Sequence, residues 1–210
     1  MIKKIHYPDR YIVWDLETSG FNGTTDKILE IGLFKVEDGE VTEKKRWVLN
    51  HNIDIPQKIT DINGMTKAIC DAEGRDPKEC LEEFLEEIRY SNANLTHNGV
   101  KFDIIFLVDQ VKEILQWEEE RVNNLRKKLE YTSIDTAMLF KAHITGNKRY
   151  WNESFHQFAK RVGDEIVRGK YNLGVCCDEL KIDRSKITQH RALGDVELTN
   201  EVFKAMLLLD

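Results

Sequence analysis

The segment Tyr11-Ile12-Val13-Trp14-Asp15-Leu16-Glu17-Thr18-Ser19-Gly20 constrains this chain more than any other. Apolar and aromatic residues run without a break into Asp15, a second acid follows at Glu17, and Gly20 closes the stretch. An apolar run of that length fits a strand buried on both faces. Side chains alternate along a strand, so Asp15 and Glu17 project to the same side. Carboxylates so placed repel each other and resist ionising together. A bound divalent cation relieves that conflict, because hard ions such as Mg2+ take oxygen ligands. The plainer alternative is a strand end whose two acids simply reach solvent.

Two other segments bear on that choice. Leu95-Thr96-His97-Asn98-Gly99-Val100-Lys101-Phe102-Asp103 reads as a short strand, a glycine turn and the start of a helix, with Asp103 ahead of the apolar run Ile104 to Val108. Asp103 also fits as a helix-start acid favoured by the helix dipole. His190-Arg191-Ala192-Leu193-Gly194-Asp195 opens the last helix. Residues five apart do not share a helix face, which places His190 on the lead-in and Asp195 in the first turns. Gly194 leaves room beside Asp195 for a close approach.

The remaining chain fits one domain large enough to bury a core, at 210 residues. Its 41% hydrophobic and 32% charged content is that of a soluble globular protein. No apolar run reaches the roughly 18 residues of a membrane span, and Met1 to Pro8 lacks the apolar core of a secretory signal. Cys70, Cys80, Cys176 and Cys177 form no C-x-x-C pair and read as free thiols of a reducing cytoplasm. A net charge of −6 argues against a broad basic surface coating a duplex, but not against local basic patches that hold phosphates.

In order, Ile28 to Val36 reads as a second strand, Glu37-Asp38-Gly39-Glu40 as a hairpin turn and Val41 to Leu49 as a third strand with Lys44-Lys45-Arg46 along an edge. Leu81, Phe84, Leu85 and Ile88 recur at helical spacing within Pro77 to Ile88. Asn94 to His97 is a short strand, Glu118 to Glu130 a solvated helix, and Tyr131 to Thr136 the last strand, followed by a helix through Phe140. Leu173 to Leu180 and Gln189 to Leu209 close the chain as helices. Between Ile144 and Lys170, Lys148, Arg149, Tyr150 and Trp151 interleave with a helix carrying Phe155, Phe158, Ala159 and Val162, with Lys160, Arg161, Arg168 and Lys170 around it. That mixture suits single-strand recognition, and equally an insertion whose rings pack inward.

Taken in their fixed order, Asp15-Leu16-Glu17-Thr18-Ser19-Gly20, His97-Asn98-Gly99-Val100-Lys101-Phe102-Asp103 and His190-Arg191-Ala192-Leu193-Gly194-Asp195 resemble the DEDDh exonucleases, the DnaQ-like or RNase T-like superfamily. Ile62-Asn63-Gly64-Met65-Thr66 and Tyr171-Asn172-Leu173-Gly174 resemble two weaker family segments. The likeness runs from about Tyr11 to Leu208. It implies an α/β, RNase H-like fold: a mixed five-stranded sheet, its three antiparallel strands first, flanked by helices. It also implies a single exonuclease domain over residues 1–210, with about 144–170 as a family-atypical insertion.

The implied activity is two-metal-ion removal of nucleotides from the 3′ end of nucleic acid, with DNA preferred over RNA and Mg2+ or Mn2+ as the two ions. By the same resemblance Asp15, Glu17, Asp103 and Asp195 hold the metals, and His190 takes the proton of the attacking water, work suited to an imidazole of ordinary pKa about 6.5. Leu16, Glu17 and Thr18 grip the terminal 3′-hydroxyl, Phe102 and Met65 border the last base or sugar, and Asn98 supports the pocket. Met65 fits equally as a core filler. Asp135, a further acid, is by resemblance structural. The implied partner is a single-stranded or frayed 3′ end, and any polymerase is engaged in trans. RNA trimming and a non-catalytic nucleic-acid-binding module on the same fold are the alternatives. The Asp-x-Asp-x-Thr strand end of haloacid-dehalogenase-like phosphatases is a poorer match, since three early antiparallel strands do not suit it.

Overall fold

A computed structural model describes residues 8–150, 152–153, 155–164, 171–187 and 190–208. Among these, the strands are β1 (Arg10–Thr18), β2 (Ile28–Glu37), β3 (Glu40–Val48), β4 (Asn94–Thr96) and β5 (Ser133–Asp135). The helices are α1 (Gln57–Asn63), α2 (Lys67–Glu73), α3 (Pro77–Tyr90), α4 (Asp103–Leu115), α5 (Glu119–Thr132), α6 (Thr136–Thr145), α7 (Phe155–Asp164), α8 (Leu173–Glu179) and α9 (Ala192–Leu207).

The five strands form one sheet in the order β3-β2-β1-β4-β5. Strands β1, β2 and β3 pair antiparallel, whereas β4 joins β1, and β5 joins β4, in parallel. The β2–β3 hairpin turns on Asp38 and Gly39, both at positive φ (52° and 83°), the backbone hand that lets a two-residue loop follow the strand twist. Edge strand β3 alternates exposed and half-buried residues from Glu40 to Arg46, and its Lys45 pairs with Glu43 and Glu87, a charged border that discourages further strand addition.

The central strand β1 is buried on both faces, as its apolar run predicts. Ile12, Trp14 and Leu16 point into a cluster with Phe84 of α3 and Phe106 of α4. Tyr11 and Val13 point the other way, into a cluster with Val196, Val202 and Phe203 of α9. Continuing the alternation, Asp15 and Glu17 follow Tyr11 and Val13 on the face that α9 covers. Helix α9 sits close because Gly32 of β2, opposite Asp15 in the register, has no side chain. A Cβ there would stand 2.6 Å from the Ala192 carbonyl carbon. The Tyr11 hydroxyl donates to Asn200 Oδ1 at 2.9 Å and ties α9 to β1 a second time. Apolar packing thus delivers the first turn of the last helix to the acidic end of the first strand.

The acid at Asp135 proves structural. Buried at the end of β5, its carboxylate accepts N–H groups of Ala137 and Met138 to cap α6, and those of Asn98 and Val100 to hold the loop entering α4. In the 144–170 region, Phe158 and Val162 pack inward. Arg161 pairs with Glu153 at 2.8 Å and lies over the Tyr150 ring, while Lys148 and Lys160 are exposed. Trp151, Arg168 and Lys170 lie outside the described residues, as do Gln189 and Leu209 at the ends expected for the last helix. The four cysteines are free and buried. Among the described residues no helix is long and apolar enough to cross a membrane.

Candidate active site

Asp15, Glu17 and Asp195 converge, each offering a carboxylate oxygen within 4.8 Å of the others. Asp103, the first residue of α4, lies outside that trio. Its carboxylate accepts the N–H of Leu16 and its own N–H, which turns it toward β1, and its charge bears on Asp15.

The electrostatics record the crowding. Asp15 is held well above the ordinary carboxylate range, first by desolvation and then by Asp103, Glu17 and Asp195. Burial, followed by Asp195 and Glu30, pushes Glu17 up to about 8, against a hydrogen bond from Asn63. Burial pushes Asp103 up to about 7 in spite of its backbone donors. Asp195 is likewise raised by desolvation, with the His190 amide pulling it back. Clustered acids that resist ionisation are a donor set short of positive charge. Their oxygen chemistry fits hard divalent cations.

Around the trio the other expected residues take definite places. His190 is exposed on the lead-in to α9 at φ 58°, and its amide donates to Asp195 Oδ1 at 3.2 Å. The Thr18 hydroxyl donates to the Gly20 carbonyl at 2.6 Å. Leu16 buries its side chain in the core. Asn98, exposed at φ 61°, is anchored through its backbone on Asp135. Phe102 precedes Asp103 with a half-buried ring 5.3 Å from that of Phe106.

Met65 departs from the expectation of a residue bordering the substrate. It is fully buried with Leu29, Val48 and Cys70, so its thioether fills the core beneath α1 and α2. The neighbouring residue that does approach the acids is Asn63. Its amide donates to the Thr18 carbonyl at 3.1 Å and to Glu17, while its Oδ1 accepts the Met65 N–H at 3.0 Å. Sequence reasoning singled out the segment but not this residue; a polar amide directly before the positive-φ Gly64 was the available signal. Glu30 and Arg191 were also missed. An acid inside the apolar run Ile28-Leu29-Glu30-Ile31 was the mark of a paired, buried charge.

The family model described as Exonuclease, of RNase T type, matches residues 12–203. The PolC-type DNA polymerase III of Clostridium perfringens is 25% identical over 200 residues, 94% of this chain but 13% of that protein. The DNA polymerase III subunit epsilon of Aquifex aeolicus is 28% identical over 197 residues, 94% of this chain and 80% of that protein. This chain therefore spans only about an eighth of the PolC-type relatives. The zinc-bound E. coli ExoI–ssDNA complex superposes with a TM-score of 0.71 at 14% identity, covering 94% of this chain and 40% of that one. The shared architecture is the RNase H-like fold.

Proposed function

This chain belongs to the exonuclease family, and from that premise we propose that it hydrolyses the terminal phosphodiester of nucleic acid from the 3′ end, with DNA preferred over RNA. The observation that carries the proposal is the meeting of Asp15, Glu17 and Asp195 within 4.8 Å, with the proton affinities of all three raised. Asp15, Glu17, Asp103 and Asp195 would hold two ions, Mg2+ or Mn2+. When bound, such ions neutralise charge on the phosphoryl oxygens and activate water for in-line attack.

The chain's own groups do the rest. His190, exposed beside Asp195, takes the proton of the attacking water as general base. The Leu16–Thr18 backbone and the Thr18 hydroxyl hold the terminal 3′-hydroxyl, and that grip sets the direction of cutting. Phe102 borders the last nucleotide, and the loop of Asn98, pinned by Asp135, backs it. The substrate is a single-stranded or frayed end, a polymerase is a partner, and the working compartment is the cytoplasm. Residues 1–210 act as one exonuclease unit, with about 144–170 as an insertion within it.

One assay tests this. The protein is incubated with 3′-labelled and 5′-labelled single-stranded DNA, duplex DNA and RNA, with Mg2+ or Mn2+. Mononucleotides should leave the 3′-labelled strand first, and 5′-labelled strands should shorten stepwise, fastest for single-stranded DNA. The Asp15→Ala/Glu17→Ala double variant should release nothing while staying folded. Undiminished release by that variant, or internal cutting by the wild type, would refute the assignment.

A further inference from the structure

Glu30 is the most buried acid near the site, only 1% exposed, and it belongs to none of the metal-holding positions. It lies on β2 opposite Glu17 in the register. Arg191 reaches it with a two-point fork, Nε to Oε2 at 3.1 Å and Nη2 to Oε1 at 2.9 Å. The Ala192 N–H donates to Oε2 at 3.1 Å. Arg46 of β3 also donates to Oε1 and continues to Glu73 of α2 at 2.6 Å. Burial raises the pKa of Glu30, but Arg191, Arg46 and the Ala192 amide together outweigh it and hold the carboxyl below its usual range.

Three consecutive residues are therefore fixed before α9 takes its first turn. The His190 N–H is bound to Asp195, the Arg191 side chain to Glu30 and the Ala192 N–H to Glu30. The Arg191 stem also passes under Gly64, where an added Cβ would lie 4.0 Å from Arg191 Cδ, next to the Asn63 that braces Glu17 and Thr18. The bare edge of Gly32, two residues on, receives the Ala192 carbonyl.

We infer that Glu30 is a positioning residue: through Arg191 and Ala192 it sets the height and orientation of the His190–Asp195 segment over Asp15 and Glu17. A buried ion pair contributes little net stability but a well-defined geometry when its partners are complete. The guanidinium fork gives that geometry in a way an ammonium does not. The inference rests on the exonuclease assignment for its kinetic consequence, and on the hydrogen bonds alone for its structural one.

The test compares wild type, Glu30→Gln, Arg191→Lys and the double variant. The readouts are kcat and KM on a labelled single-stranded DNA with Mn2+, and amide hydrogen exchange at Ala192 without metal. Arg191 is partly exposed, so Arg191→Lys keeps a folded protein available should Glu30→Gln fail to fold. Each single variant should lose about tenfold or more in kcat with KM within about threefold, and the double variant should be much less impaired than the product of the two. Ala192 should exchange about tenfold faster. Wild-type kcat in either folded single variant, or a loss borne by KM alone, overturns the inference. Nuclease inactivity of the wild type would instead retract the exonuclease assignment. The Ala192 exchange rates would still decide whether Glu30 seats the segment, and unchanged rates would reject it.

Discussion

Replacing Glu17 by Gln should make the metal-free protein more stable while abolishing nucleotide release. In the folded chain the Glu17 carboxyl titrates at about 8, against 4.5 for the free side chain. Between those pH values the folded state keeps a proton that the unfolded state has given up. Stability therefore falls as pH rises through the window and levels off above about 8. A carboxyl moved that far has lost roughly 5 kcal/mol of preference for its ionised form, which bounds what neutralising it can recover. Gln keeps an acceptor for the Asn63 amide while removing the charge that faces Asp15 and Asp195. A recovery of about 2–4 kcal/mol raises Tm by on the order of 5–10 °C for a chain of this size.

The assay is thermal unfolding in chelator from pH 4.5 to 8.5. The advantage of Glu17→Gln should be near zero at the acid end and grow steadily with pH. Adding Mn2+ should close the gap, because an ion at a hundred times its Kd adds about 2.7 kcal/mol to wild type and less to a variant missing a ligand. A variant no more stable than wild type at pH 8.5 would refute the claim that these acids are in conflict.

Three further outcomes follow from the packing. Gly32→Ala should cost about 1–3 kcal/mol in urea denaturation, since the new methyl meets the Ala192 backbone rather than a movable side chain; unchanged stability would show that α9 does not rest there. Asp135→Ala should cost about 2–3 kcal/mol by losing the α6 cap and the anchors of the Asn98 loop, and wild-type stability would contradict that role. Met65→Leu should cost less than about 1.5 kcal/mol and leave KM for DNA unchanged, whereas a several-fold rise in KM would return Met65 to the substrate.

Much of this was legible in the residues, because strand alternation and helix spacing are local rules. The common face of Asp15 and Glu17, the start of a helix at Asp103 and the place of His190 ahead of its helix all follow from periodicity. The three antiparallel strands follow from an Asp-Gly turn between two apolar runs. What stayed hidden depends on contacts between distant segments. Met65 and Asn63 are two residues apart in one loop, and nothing local says which faces the core and which the acids. Glu30 reads as an ordinary strand residue until Arg191, far along the chain, comes to meet it. Arg161 reads as a free basic residue until the fold supplies Glu153 and the Tyr150 ring.

The placement of α9 has a consequence for how the molecule comes into being. Its first turn brings the third member of the acidic trio, and its apolar side covers the sheet face exposed by Tyr11 and Val13. A polypeptide stalled on the ribosome before residue 192, or clipped there by a protease, would show a greasy surface and an unfinished cluster at once. The trio of acids is therefore complete only once this late-made helix has docked against the sheet.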